Sequence, residues 1–206
     1  YEMYQAKLAR TTDIQQEFMN PVDSFGGSLH NTDIAVFFFP LTTIGECLTA
    51  MNESVVSSLL EDLKDLNETV RDRATRDLWR LWFEQKGMVG LEALRRAQLL
   101  LELRDFDRAE ELLNKLITQQ PDFAEAWNRR AVLHYVQGRY WEAIADCEEV
   151  IRLNPVHFGA LHGLGLCYIA LENYHAAIHA FRSALHVQPF SLENQRLILE
   201  CSLKLS

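Results

Sequence analysis

From residue 90 onward, apolar and polar positions recur with one long period. Pro121, Pro155 and Pro189 stand 34 residues apart, and Ala109, Ala143 and Ala177 keep the same step, as do Phe106, Tyr140 and Tyr174. Within each period, two stretches of helical apolar spacing are separated by a short polar turn. The pattern predicts three helical hairpins, over 90–123, 124–157 and 158–191. In the middle hairpin the first helix is expected over Ala124 to Gln137, the turn at Gly138-Arg139, and the second helix over Tyr140 to Leu153. Asn154-Pro155 then stops the chain, because the residue before a proline disfavours the helical region. Small residues (Ala97, Ala131 and Gly165 on first helices; Ala109, Ala143 and Ala177 on second helices) let paired backbones approach. Large ones, including Trp127, Leu161, Phe106, Tyr140, Tyr174 and Phe181, fill the gaps between hairpins. A fixed period of this length is the signature of a solenoid.

Ahead of the repeats the pattern is less regular. Residues 2–19 place Tyr4, Leu8, Ile14 and Phe18 near one helical face, and Asn20-Pro21 through Gly26-Gly27-Ser28 read as a turn. The run Asp33 to Leu41 contains Phe37, Phe38 and Phe39 and has no hairpin partner with turn chemistry, so it is expected to dock on helices. Three exposed phenylalanines are a liability in solution, which makes them candidates for an intramolecular groove ligand. Thr43 to Met51 follows as a short helix. Val55, Leu59, Leu60, Leu63 and Leu66 mark a clearer helix, and a second runs from about Glu68 to Gln85 with Val70, Ala74, Leu78, Leu81 and Trp82 on its buried stripe. Lys86-Gly-Met-Val-Gly90 is read as the joint into the repeats. The expected organisation is an arm over 1–51, a divergent capping hairpin over 52–88, the repeats over 90–191, and a closing helix over 192–206.

Composition narrows the class. The chain has 206 residues, half of them apolar, and a net charge of −9. Nucleic acid is a poor partner for such a surface, since phosphate binding needs dense Lys and Arg. Cys47, Cys147, Cys167 and Cys201 are widely spaced without a C-x-x-C pair. Cys147 and Cys167 occupy apolar repeat positions, so an intracellular reducing compartment is expected, either cytoplasm or an organelle interior such as the plastid stroma. The chain opens at Tyr1, which leaves room for a targeting segment upstream. No run approaches the roughly 20 apolar residues of a membrane span. No Gly-rich phosphate loop, G-x-S-x-G or H-E-x-x-H occurs, so no enzyme activity and no cofactor are expected.

The repeats resemble the tetratricopeptide repeat family, whose pattern is W-x2-L-G-x2-Y followed by A, an aromatic, A and P. Trp127, Tyr140, Ala143 and Pro155 match in the second hairpin, and Leu164-Gly165, Tyr168, Tyr174, Ala177, Phe181, Ala184 and Pro189 in the third. The first hairpin keeps Ala97, Phe106, Ala109 and Pro121 but lacks the Trp, while Arg130 and Cys147 depart from the usual apolar residues. The resemblance implies an all-α, right-handed α-solenoid of helix-turn-helix units, with first helices lining a concave groove. Its partner-binding positions are then Leu94, Arg95, Gln98 and Leu101; Asn128, Arg129, Val132 and Tyr135; and His162, Leu166 and Ile169. That floor is more apolar than charged, which suits an amphipathic helix or an extended apolar segment of a partner protein.

Other chemistry weighs less. A chaperone-tail clamp of Lys, Asn and Arg, known in this family, meets Leu94, Gln98, Arg129, Gly159 and Gly163, with one suitable cation. His175 and His179 have metal-ligand spacing, with His186 two turns further on, but lack a fixed third ligand, so no metal is expected. Trp79 and Trp82, flanked by Arg76 and Arg80, read better as a hairpin interface than as an aromatic box. The leading expectation is a non-enzymatic adaptor or scaffold. The alternative is a structural or assembly subunit of a larger complex.

Overall fold

The computed structural model describes residues 53–206, and these divide into two compact units between Leu78 and Trp79. The sequence expectations for 2–19, Asp33 to Leu41 with Phe37, Phe38 and Phe39, Thr43 to Met51 and Cys47 lie outside the described residues.

In the first unit, residues 53–62 are helical (α1) and 63–67 form a turn into α2 (Glu68–Glu84), which continues past the boundary. The first helix was expected to carry its apolar spacing through Leu66. It stops at 62, and Leu66 is exposed in the turn. The reason is local capping. The Asn67 Oδ1 accepts from the Thr69 N–H at 3.0 Å, starting α2, and the Arg71 guanidinium donates to the Asp65 and Leu66 carbonyls, each at 2.9 Å.

The second unit carries seven further helices: α3 (Gly87–Glu102), α4 (Phe106–Gln119), α5 (Ala124–Val136), α6 (Tyr140–Leu153), α7 (Phe158–Ala170), α8 (Tyr174–Val187) and α9 (Leu192–Leu205). All described secondary structure is helical. The joint expected over 86–90 is shorter than that, because Gly87 takes φ +64° and begins α3 at once. Each of α3, α5 and α7 packs on the helix that follows it, and α9 packs on α8. The first helices α3, α5 and α7 also touch one another in series, while α4, α6 and α8 approach each other far less. The first helices therefore form the tighter, inner layer of the stack.

The three hairpin turns share one geometry. Arg104, Gly138 and Glu172 have φ of 57°, 75° and 57°, again 34 residues apart. After each, the N–H of Asp105, Arg139 or Asn173 returns to the carbonyl five residues back, at 2.9 Å in every case. This is a left-handed helix stop that satisfies carbonyls otherwise left without a donor. A second recurring bond closes two of the three loops that follow the second helices: the Trp127 Nε1–H donates to the Pro121 carbonyl at 2.9 Å, and the Gln195 amide to that of Pro189 at 3.0 Å.

Where the repeat departs from apolar residues, a polar interface takes over. Arg130 on α5 donates from Nε and Nη2 to both Asp146 oxygens on α6, at 2.9 and 2.7 Å, and from Nη1 to the Asn114 Oδ1 on α4 at 2.7 Å. His134 stands 3.2 Å from Asp146, and Arg139 donates to Glu110 at 2.6 Å. Burial alone would push the Asp146 carboxyl up, but the Arg130 hydrogen bonds and the adjacent His134 ring outweigh it and hold the group below its usual range. The Arg139 hydrogen bond likewise lowers Glu110. Three helices are thus tied by one charged network in which Asp146 and Glu110 each accept from an arginine, the condition for burying charge, while the His134 Nδ1 and the Arg139 Nε make no hydrogen bond.

Candidate functional site

The inner face is built around α5. Glu125, Asn128 and Arg129 fall at i, i+3 and i+4, so one helical face carries all three. The Glu125 carboxylate accepts from the Asn128 amide at 3.1 Å and from the Arg129 Nε at 3.1 Å. Arg129 Nη1 reaches across to the Gln98 Oε1 on α3 at 2.9 Å. From the other side comes His157, the N-cap of α7, whose Nδ1 accepts the Ala160 N–H at 3.0 Å. Its proton therefore sits on Nε2, which faces the Glu125 Oε2 at 3.1 Å and donates to it. Glu125, Asn128, Arg129 and His157 are all at most 2% exposed. The cluster joins three first helices into a rigid, buried polar floor.

Aromatic rings from the end of α2 cover this floor. Trp79, Trp82 and Phe83 also follow i, i+3, i+4 spacing and are buried. Trp82 stacks on His157 with ring centres 4.4 Å apart and planes at 21°. Trp79 meets His157 and Phe158 edge-on, both at 5.3 Å. The Arg129 guanidinium lies 4.8 Å from the Phe83 ring centre, a cation–π contact. Gly159 makes room for this arrangement, since a β-carbon there would stand 2.6 Å from the Trp79 ring. At the edge, Lys86 pairs with Asp122 at 2.5 Å, and its hydrogen bond lowers the Asp122 carboxyl.

The residues expected to bind a partner fall into three environments. Leu94, Leu101, Asn128, Arg129 and Leu166 are buried, Leu101 in a cluster with Ala97, Ala109, Leu113 and Leu133. Gln98, Val132, Tyr135, His162 and Ile169 are half-buried, and Arg95 is exposed. Tyr135 packs against the cluster of Ala143, Ile144 and Cys167, and burial raises its phenol well above the usual range. His162 pairs with Asn194 of α9 at 2.6 Å. Of the five clamp positions, Arg129 is engaged by Glu125 and Gln98, and the space beside Gly159 is filled by Trp79. His175, His179 and His186 are exposed on α8. Among the described residues no three His, Cys, Asp or Glu side chains are grouped to hold a metal ion, and no helix is long and apolar enough to cross a membrane.

Glu125, His157 and Phe83 were not among the residues singled out from sequence. The i, i+4 pairing of Glu125 with Arg129 was readable on α5. The role of His157 was not, because its partners lie 32 residues away and on α2.

The repeat geometry has counterparts in known proteins. Residues 94–157 and 142–191 match the tetratricopeptide repeat family. A TPR repeat-containing protein of Rhizobium etli is 37% identical over 81 residues, covering 39% of this chain and 40% of that protein. The human Protein SGT1 homolog is 36% identical over 77 residues, covering 37% of this chain and 21% of that protein. The chain thus spans less than half the length of these relatives. Among solved structures, the first TPR domain of Spaghetti (RPAP3), bound to the Hsp90 peptide SRMEEVD, superposes with a TM-score of 0.54 at 19% identity, over 56% of this chain and 91% of that one. The 34-residue period, the stacked hairpins and these matches agree: residues 94–191 are tetratricopeptide repeats, the units of a family of protein-interaction modules.

Proposed function

We propose that the chain is a non-enzymatic adaptor whose first-helix face holds an apolar or amphipathic segment of a partner protein. The observation that carries this reading is the state of Arg129. It is the cation best placed to take a carboxylate tail, yet it is buried, bonded to Glu125 and Gln98, and covered by Phe83. What the face leaves accessible is the exposed Arg95 and the half-buried Gln98, Val132, Tyr135, His162 and Ile169, of which Val132 and Ile169 are the aliphatic contacts. Apolar side chains flanked by satisfied polar groups favour a helix-in-groove ligand over a charged terminus. The buried free thiols of Cys147, Cys167 and Cys201 support a reducing compartment.

Fluorescence anisotropy with labelled peptides tests this. Amphipathic helical peptides bind the wild-type chain and lose on the order of tenfold in affinity, about 1.4 kcal/mol, with Val132→Glu or Ile169→Glu. Tighter binding of the acidic peptide SRMEEVD than of any amphipathic one would overturn the reading.

A structural-subunit role is the second reading, and α9 favours it. Leu192, Leu199 and Leu203 of this helix are 77, 66 and 76% exposed. Size-exclusion chromatography separates the two: a clean monomer supports the adaptor, and self-association or insolubility without partners supports the subunit.

A further inference from the structure

The floor under the α2 aromatics has the properties of a binding site that happens to be filled. His157 is held at both ring nitrogens, by the Ala160 N–H and by Glu125. Arg129 is held by Glu125 and Gln98. These bonds all run between groups of the repeats, so the shelf is shaped before any aromatic ring arrives. Preorganisation of this kind is what lets a site bind without ordering cost. Trp79, Trp82 and Phe83 meet the shelf through ring contacts: Trp82 stacking on His157, Trp79 edge-on to His157 and Phe158, and the Arg129 guanidinium over Phe83. Their departure leaves the Glu125–His157 and Ala160–His157 bonds intact. Gly159 adds a cleft that any side chain would close.

We propose that the shelf of Arg129, His157 and Phe158, with its cleft at Gly159, is an exchangeable site for a helix bearing aromatic residues at i, i+3 and i+4. The end of α2 is its resident occupant. A partner helix of the same chemistry takes its place. This rests on the first-helix face being a binding surface, but uses a different part of it from Val132 and Ile169. Burial of its three rings holds the resident in place, and its tether adds to that. Only Gln85 and Lys86 separate α2 from α3, and the Lys86–Asp122 bridge at the edge is exposed on the Asp122 side, where such pairs contribute little. A short tether gives an effective concentration in the millimolar range, so a free helix competes poorly with the intact chain and well once the resident rings are gone.

The probe is a labelled peptide of residues 68–86, titrated by anisotropy into the full chain. The double variant Trp79→Ala/Trp82→Ala binds it at least about tenfold more tightly than wild type, the gain expected when a tethered competitor is removed. Adding Gly159→Leu closes the cleft and abolishes the gain, whereas adding Val132→Glu or Ile169→Glu leaves it unchanged. Loss of the gain with the latter pair alone would assign the peptide to the surface of the adaptor reading instead. Equal binding by wild type, no binding by a double variant that keeps its helical circular dichroism, or a gain that survives Gly159→Leu overturns the proposal. Should the double variant unfold, the wild-type chain labelled with 5-fluorotryptophan answers the same question. Excess unlabelled peptide shifts the Trp79 and Trp82 fluorine resonances, and unmoved resonances overturn it.

Discussion

A β-carbon placed on Gly165 would stand 2.4 Å from the Phe181 ring, so α7 and α8 meet at a distance only glycine permits. The equivalent positions in the other hairpins carry Ala131 with Cys147 and Ala97 with Leu113. Where the second-helix residue is largest, the first-helix residue is smallest. Gly165→Ala is therefore expected to destabilise by about 1–3 kcal/mol through overpacking of a close-packed contact. Phe181→Leu, which restores the pairing of the first hairpin, recovers most of that loss in the double variant. Urea unfolding of the four-member cycle checks it; simple additivity of the two single changes would refute the coupling.

The hairpin turns make a second prediction. Arg104 and Glu172 hold the same left-handed conformation as Gly138, at a cost of roughly 1 kcal/mol for a residue with a β-carbon. Glu172→Gly and Arg104→Gly should each raise the unfolding midpoint, although glycine gives back part of the gain through unfolded-state entropy. Gly138→Ala should lower it. A midpoint unchanged or reduced in both glycine variants would count against the turn as a site of strain.

The thiols supply a third. Cys147 is pushed well above the ordinary thiol range by its hydrogen bond to Cys167 and by burial, and burial raises Cys201. The thiolate is the reactive form, so iodoacetamide should leave Cys147 and Cys201 unmodified in the native protein at mildly alkaline pH. Their labelling, followed by peptide mass mapping, should rise with urea in step with loss of helical signal. Fast modification under native conditions would show that these helices open locally.

Much of the array was legible because each repeat speaks for the others. Pro121, Pro155 and Pro189 set the period, and the middle hairpin was expected over Ala124 to Gln137 and Tyr140 to Leu153, where α5 and α6 occur. Periodicity reports which face of a helix is apolar, not which distant helix covers it. Asn128 and Arg129 were read as partner-binding positions; both are buried and bonded to Glu125, and Phe83 covers Arg129. Nothing local to Arg129 signals that cover, since the ring comes from 46 residues earlier in the chain. Arg130 shows the opposite case. Its departure from the apolar repeat pattern was visible, and the structure supplies the reason in Asp146 and Asn114.

That Arg130–Asp146 pair makes the chain acid-sensitive. Asp146 is held below the ordinary 3.8 because hydrogen bonds from Arg130, with the His134 ring close by, overcome the burial that would raise it, and Glu110 is held below 4.5 chiefly by Arg139. In the unfolded chain both carboxyls return to ordinary values, so on acidification the unfolded state takes up protons first. The stability these groups contribute is complete above the unfolded values and is lost as pH falls through the lower folded ones. Arg130→Met strands the Asp146 carboxylate, which is 5% exposed, and should cost about 3 kcal/mol at neutral pH. Its deficit against wild type should narrow as pH falls, because protonation relieves the stranded charge. Arg130→Met with Asp146→Leu should recover most of the loss, as apolar replacement of both partners often does. Urea midpoints at neutral pH and on either side of the carboxylate range decide the matter, and a deficit independent of pH would mean that packing of the Arg130 stem, rather than its charge, holds α5 to α6.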